Sequence, residues 1–139
     1  MADGDTRALV RDLYDAYERR DFVRVAAFIH DDIDWIIYGP VSVFPFFGPR
    51  RGRAAVLAVL AGIAEVFSLE RYTREIVLVD GDRAAVMADV SFMQRATGRT
   101  LRFRVANFLR FAGGRVIEFR EFANTFDVVE QVLGHELNI

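Results

Sequence analysis

The chain has 139 residues, a hydrophobic share of 53% and a formal net charge of −2 at neutral pH. This length and apolar content predict one globular domain spanning residues 1–139, and they exclude an intrinsically disordered chain. The small negative charge gives no indication of binding to nucleic acid or to an anionic membrane surface.

Two residue types are missing, and their absence removes several kinds of chemistry. There is no cysteine, which excludes disulfides, thiol catalysis and cysteine-ligated metals. All 18 basic residues are arginine, so no lysine can form a Schiff base or a lysine-based nucleotide loop. The two histidines, His30 and His135, have no partner at metal-ligand spacing. We therefore predict no metal and no cofactor.

The amino-terminal residues and the apolar runs bear on where the protein works. The first seven residues are polar and acidic, unlike a signal peptide. The longest uncharged apolar run, Ala54–Ala64, is about 11 residues and too short to span a bilayer. We predict a soluble, cytoplasmic protein that does not bind membranes.

The first part of the chain predicts two helices and a strand. A helix capped by Asp5 or Thr6 extends to about Arg20, because apolar residues recur on one side at helical spacing. A short second helix follows over Phe22–Ile29. Ile33–Tyr38 then predicts a strand that puts Ile33, Trp35 and Ile37 on one face and the residues between them on the other.

A long loop is predicted over Gly39–Arg53, because this segment contains all three prolines. It also carries Phe44, Phe46 and Phe47, which are not expected to remain in water. Two interpretations stay open: the phenylalanines form a lid over a pocket, or they form a subunit contact.

The next elements are a helix and two strands, and a short helix ends the chain. Ala54–Phe67 is strongly apolar and predicts a helix. Arg74–Val79 and Arg83–Gln94 predict strands joined by the turn Asp80–Gly81–Asp82. Asp127–Leu133, followed by a glycine, predicts the last helix.

The clearest pattern lies in two alternating strands, Thr100–Phe111 and Val116–Ala123, joined across Gly113–Gly114. One face carries the apolar residues Leu101, Phe103, Val105, Leu109, Phe111, Ile117 and Phe119. Asn107 and Glu121 interrupt this face, and burying an amide and a carboxylate there costs free energy unless they are used. The strands therefore predict a pocket with two polar groups in an apolar wall.

The opposite face predicts a surface in contact with solvent or a partner. It carries Thr100, Arg102, Arg104, Arg110, Glu118 and Arg120. The order of helices first and four antiparallel strands later is typical of an α+β fold with helices on one face of a curved sheet. Such a sheet forms a cone, and the mouth of a cone is a natural ligand site.

Five segments together resemble a known family: LYDAYERRDF, FIHDDIDW, GPRRGRAAVLAVL, DGDRAAV and GGRVIEFREF. They are similar to the SnoaL-like branch of the nuclear-transport-factor-two-like superfamily, over nearly the whole chain. The resemblance implies a cone-shaped curved antiparallel sheet covered by about three N-terminal helices. It also implies a homodimer formed through the outer sheet face, while the two polar residues on the apolar inner face predict a small apolar ligand that carries one or two oxygens. This fold carries isomerases, cyclases, dehydratases, epoxide hydrolases and non-catalytic domains.

The steroid isomerases of the superfamily use a helix tyrosine, an oxyanion-binding acid and a strand base. The resemblance places Leu13 at the tyrosine, Asn107 at the acid and Ile37 at the base. Two of these three positions are hydrocarbon, which argues against the standard ketosteroid isomerase mechanism.

The catalytic residues of two other enzyme groups in the superfamily can also be compared with this sequence. In limonene-type epoxide hydrolases, only Glu121 matches a catalytic aspartate, while Trp35 and Ile37 replace a tyrosine and an asparagine. The arginine and the second aspartate of those enzymes fall near Ala88–Phe92, where the residues expected to face inward are Ala88, Val90 and Phe92. SnoaL-like cyclases need one carboxylate from the terminal strands, and Glu121 matches that region. The cyclase precedent is therefore the least disrupted.

These observations lead to two hypotheses. In the first, Glu121 is a general acid/base and Asn107 orients a carbonyl in a cofactor-free isomerase, cyclase or dehydratase acting on an apolar oxygenated substrate. The predicted walls of the pocket are Trp35, Phe119, Phe103, Tyr17 and Ile37. In the alternative, the chain is a non-catalytic ligand-binding or dimerisation module in which Glu121 and Asn107 satisfy each other or nearby arginines inside a small or filled cavity.

Overall fold

The computed structural model describes residues 1–139 and contains four helices and six strands. The helices are α1 (Asp3–Glu18), α2 (Phe22–Ala27), α3 (Arg53–Val66) and α4 (Thr125–Leu133). The strands are β1 (Ile29–Ile37), β2 (Gly48–Arg51), β3 (Phe67–Asp80), β4 (Arg83–Gln94), β5 (Thr100–Ala112) and β6 (Arg115–Ala123).

All six strands form one curved sheet in the order β2-β1-β6-β5-β4-β3. Strands β3 to β6 form the predicted antiparallel meander, and β2 is antiparallel to β1. Strand β1 lies parallel to β6, so the sheet is mixed rather than wholly antiparallel. A parallel pair needs a long connection instead of a hairpin, and the chain between β1 and β6 supplies it. The predicted α+β fold with helices covering a curved sheet is confirmed.

Two strands begin earlier than the sequence predicts. Strand β1 starts at Ile29 rather than Ile33, and β3 starts at Phe67 rather than Arg74. The pairing register of each strand shifts within these early residues. A register shift breaks the alternation of polar and apolar residues, so the period of two that predicts a strand is lost there.

The predicted loop contains a short edge strand, β2, which the sequence analysis missed. Its four residues pair with the end of β1 although they include Pro49, which an edge strand tolerates. The Arg50 guanidinium donates hydrogen bonds to the carbonyls of Pro45 at 2.6 Å and Pro49 at 2.9 Å. Arg50 therefore ties the end of the loop to β2.

Helix α1 begins two to three residues before the predicted caps. Its N-cap is Ala2, and Thr6 is fully buried, with its hydroxyl donating to the carbonyl of Gly81. The Asp3 carboxylate accepts a hydrogen bond from the Gly81 N–H at 2.7 Å. These contacts fix the start of α1 to the β3–β4 turn, so Thr6 serves tertiary structure instead of helix capping.

The inner face of β5 matches the predicted alternation, whereas β6 contains an irregularity. Arg110 pairs with Glu118, but the next residue, Phe111, pairs with Val116, so Ile117 is the extra residue of a bulge. Val116 is consequently buried in the core, in the place predicted for Ile117.

Candidate active site

The helices and the inner face of the sheet enclose a cavity of about 150 Å³. Of its 28 lining residues, 25 are hydrophobic, and the other three are Asn107, Glu121 and Thr125. A dry apolar cavity of this order can hold a molecule the size of benzene. The cavity can therefore take a ring-sized, largely apolar ligand.

The structure places all seven predicted site residues in the cavity wall. Strand β6 provides two, β5 provides two, β1 provides two and α1 provides one: Glu121, Phe119, Asn107, Phe103, Trp35, Ile37 and Tyr17. They meet because alternate residues of neighbouring curved strands point to the same side. No group of three or more histidine, aspartate or glutamate residues is arranged to hold a metal ion.

Glu121 is a carboxyl group with little electrostatic support. Its Oε1 accepts a hydrogen bond from Asn107 Nδ2 at 2.9 Å, and it forms no ion pair. Burial disfavours the charged form and raises the pKa of Glu121 to about 7, while the hydrogen bond from Asn107 acts in the opposite direction. Near neutral pH this group can therefore both accept and donate a proton.

Asn107 connects Glu121 to two phenols. Its side chain is 2% exposed, and its Oδ1 accepts a hydrogen bond from the Tyr14 hydroxyl at 2.7 Å. The Tyr72 hydroxyl is a second, longer donor to the same oxygen at 3.4 Å. These donors fix which end of the amide faces Glu121. The Asn107 amide thus donates to Glu121, and its predicted role of orienting a ligand carbonyl stays a prediction.

Tyr14 corrects one part of the sequence comparison. The resemblance to steroid isomerases placed the hydrocarbon Leu13 at the helix tyrosine, but the phenol that reaches Asn107 comes from the next residue, Tyr14. Both residues are buried, so helical periodicity alone could not separate them. The position of the base, Ile37, is hydrocarbon, as the comparison stated.

The phenols remain neutral in the cavity. Burial raises the pKa of Tyr14 well above its ordinary value, and the nearby Glu121 charge adds to the effect. Burial likewise raises the pKa of Tyr72, with smaller contributions from Tyr14 and Glu121. Both hydroxyls are therefore hydrogen-bond donors over the whole physiological range of pH. Tyr72 was missed because the predicted strand began two residues after it.

Trp35 contributes an aromatic ring to the cavity wall, and its indole nitrogen makes no hydrogen bond. Its ring stacks on Phe119 with centroids 4.1 Å apart and planes 17° apart. The side chain is 6% exposed, and the indole Nε1–H has no hydrogen-bond acceptor. An unpaired buried donor is uncommon in a folded protein.

The three loop phenylalanines cover the cavity within the chain. Phe44 is 5% exposed and packs on Phe47 with ring centroids 4.9 Å apart. Phe46 contacts Phe67 edge to face, and all three rings line the cavity. A side chain on Gly39 would overlap the Phe47 ring, so glycine permits this close packing. This arrangement agrees with the lid interpretation of the loop.

The outer face of the sheet is more apolar than the sequence pattern predicts. Five large exposed side chains form what we call the outer apolar patch: Ile76, Leu78, Phe108 and Phe122 on the strands, and Tyr38, which follows β1 and also lines the cavity. Tyr38 stacks on Phe122 with centroids 4.5 Å apart. Arginines and acidic residues surround the patch, including Asp89, which pairs with Arg102 at 3.0 Å.

Several solved structures have the same fold as this chain, and they identify its superfamily. A candidate isomerase from Rhodopseudomonas palustris is 41% identical, with a TM-score of 0.85 and coverage of 97% of this chain and 100% of that one. A nuclear-transport-factor-two-like protein from Burkholderia xenovorans is 24% identical, with a TM-score of 0.82 and coverage of 94% and 98%. A candidate polyketide cyclase from Pseudomonas putida is 22% identical, with a TM-score of 0.78 and coverage of 88% and 94%. The fold is that of the nuclear-transport-factor-two-like superfamily.

Within that superfamily the family is also defined. Residues 10–119 match the model of the SnoaL-like domain, and the chain belongs to this family. No curated protein sequence matches this chain. No helix combines the length and the apolar character needed to cross a membrane.

Proposed function

We propose that the protein binds a small, apolar, oxygen-bearing molecule in the cavity and catalyses a cofactor-free proton transfer on it. Glu121 is the general acid/base. The observation that carries this proposal is a single carboxyl group in an apolar cavity, with one amide hydrogen bond, no cationic partner and a pKa of about 7. Isomerisation, cyclisation and dehydration all proceed by such a transfer.

The proposed proton transfer uses only side chains of this protein. The Glu121 carboxylate removes a proton from the carbon next to a substrate carbonyl. The C–H electron pair becomes a C=C bond, and the carbonyl π pair moves to oxygen. The carboxylic acid then returns the proton to a different atom of the substrate. Asn107 and the phenols of Tyr14 and Tyr72 keep the carboxyl group in one position during both steps.

Two comparisons support the reaction class. The Rhodopseudomonas palustris relative is a candidate isomerase, and the Pseudomonas putida structure is a candidate polyketide cyclase. Both names describe rearrangements that a proton-transferring carboxyl group can catalyse. The hydrocarbon at Ile37 removes the base of the steroid isomerases, so in this proposal Glu121 supplies the base from a different strand.

The proposal can be tested before the substrate is known. In D2O, the protein should accelerate exchange of the methyl protons of acetophenone, measured by proton NMR. Glu121→Gln should reduce this exchange to the rate in buffer, because an amide cannot accept the proton. The matched control is Glu118→Gln, which changes a carboxylate of the same strand that pairs with Arg110 on the outer face. Exchange at the wild-type rate in Glu121→Gln contradicts the proposal.

A second candidate function is a ligand-binding module without catalysis. One observation favours it: Asn107 and Glu121 satisfy each other at 2.9 Å, as that hypothesis expected. It predicts that acetophenone binds to the wild-type protein without any acceleration of proton exchange. The exchange experiment therefore separates the two candidates.

We also propose that a second copy of the chain covers the outer apolar patch. An exposed cluster of five large apolar side chains indicates an interaction site. The surrounding ion pairs, such as Arg120–Asp34 at 3.2 Å, place both charge signs on this face. A face with both signs can complement itself across a twofold axis. The cytoplasmic location proposed from the sequence stays a prediction.

A further inference from the structure

Among the residues that line the cavity, Trp35 is the one with a buried side-chain donor, its indole N–H, that has no acceptor. The only other unpartnered buried side-chain atom of the chain, Arg20 Nη2, belongs to a residue outside the cavity wall. Leaving a buried N–H unpaired is unfavourable, whereas a phenylalanine would keep the stack on Phe119 without that donor. The free donor therefore suggests a partner that the chain does not provide.

The sheet register relates this donor to Glu121. Trp35 pairs with Phe119 and Ile37 pairs with Glu121 on the neighbouring parallel strands β1 and β6. Glu121 therefore lies on the same inner face, two residues further along the sheet than Trp35. That separation is about 7 Å along the strand direction. A six-membered ring with one substituent can span it.

The charge of the cavity wall restricts the ligand. The 28 lining residues include no arginine and no histidine, and Glu121 is their one carboxylic acid. A carboxylate or phosphate ligand would meet no cation and would be repelled by the ionised Glu121. The wall therefore disfavours an anionic ligand, and the unpaired N–H calls for an acceptor atom, which a neutral ligand with an oxygen provides.

We propose that the Trp35 N–H binds the carbonyl oxygen of a neutral, ring-sized ketone whose adjacent carbon faces Glu121. The substrate class is thus a monocyclic ketone, rather than a hydrocarbon or an acid anion. Proton removal by Glu121 places negative charge on the same oxygen, where the indole donor stabilises it. The inference rests on the proposed function for the role of Glu121, but its test is a binding measurement.

Because Trp35 is the only tryptophan of the chain, its indole N–H gives a single NMR signal. Acetophenone and α-methylstyrene have nearly the same shape. Acetophenone has a carbonyl group that accepts a hydrogen bond, and α-methylstyrene has a C=CH2 group in its place. We expect acetophenone to move the indole proton signal downfield and α-methylstyrene to leave it without this downfield movement. Benzoate should not bind at pH 8.

Trp35→Phe provides the second readout. Beyond any loss of wall contact that affects both probes alike, it should weaken acetophenone binding by up to about a further tenfold relative to α-methylstyrene binding, the contribution of one hydrogen bond. The matched control is Phe103→Leu, which alters an apolar wall residue and should weaken both probes alike. Equal downfield shifts with the two probes, or equal loss of both in Trp35→Phe, overturns the inference.

The two proposals fail in different ways. If Trp35→Phe selectively weakens ketone binding but Glu121→Gln still exchanges protons at the wild-type rate, only the catalytic proposal is overturned. If Glu121→Gln abolishes exchange and Trp35→Phe is unselective, only the present inference is overturned. If the wild-type protein binds neither probe, both are overturned.

Discussion

At Glu121, two local effects oppose each other. The Asn107 amide stabilises the ionised carboxylate, whereas burial among hydrocarbon destabilises it, and burial is the larger effect. The pKa of about 7 therefore results from the shortage of polar partners in the cavity. The same shortage makes the ionised residue unfavourable for folding, so the site should reduce stability where it is most active as a base.

This conflict predicts a pH-dependent stability difference. The pKa of Glu121 is about 7 in the folded protein and near its ordinary 4.5 when unfolded. Between these values the folded state binds more protons, so the stability contributed by this residue is present below pH 4.5 and is lost as pH rises to about 7. Glu121→Gln should match the wild type near pH 4.5 and exceed it by up to about 3 kcal/mol at pH 8. Urea denaturation of both proteins at the two pH values measures this. A constant difference contradicts it.

Among the elements, β5 and β6 could be predicted because their alternation is local and a Gly-Gly turn joins them. The start of β3 could not, because its register shifts disrupt the alternation, and Tyr72 was missed with it. Strand β2 has the composition of a turn and exists through its pairing with β1. Pairing with a distant strand is a tertiary effect that local sequence does not report.

The site shows the same division. Its wall residues could be predicted from alternation on the strands, because a curved sheet brings one face together. Which helix side chain reaches Asn107 could not, because Leu13 and Tyr14 are adjacent and both buried. The free N–H of Trp35 also depends on three-dimensional neighbours and has no counterpart in the sequence pattern.

The loop that covers the cavity depends on a glycine contact. Gly39→Ala should displace the Phe47 ring from its position and destabilise the protein by about 1–3 kcal/mol, the usual effect of overpacking. The control is Gly62→Ala in α3. An added Cβ at Gly62 would have no atom within 4 Å apart from its own helix backbone and chain neighbours, so alanine should stabilise the helix by up to about 1 kcal/mol. Urea denaturation compares the variants. Equal stability of Gly39→Ala and wild type would show that the ring is not held in this way.

For the whole molecule, the outer apolar patch predicts a dimer. The wild-type protein should elute with twice the mass of the 15.8 kDa chain in size-exclusion chromatography with light scattering. Phe122→Glu puts a charge in the patch and should give a monomer. Val23→Glu changes an equally apolar, exposed residue on α2 and should remain dimeric. A monomeric wild type contradicts the proposed interface.

The whole fold can be understood as a scaffold that isolates one carboxyl group. The sheet, the helices and the loop after β1 supply the 25 hydrophobic residues of the cavity wall, and the Tyr14–Asn107 pair fixes the position of the carboxyl group. The pH dependence of proton exchange on acetophenone tests this most directly. The rate should rise with an inflection near pH 7 in the wild type and lose that inflection in Glu121→Gln. An inflection near the ordinary glutamate pKa of about 4.5, or one near pH 7 that persists in Glu121→Gln, would contradict it.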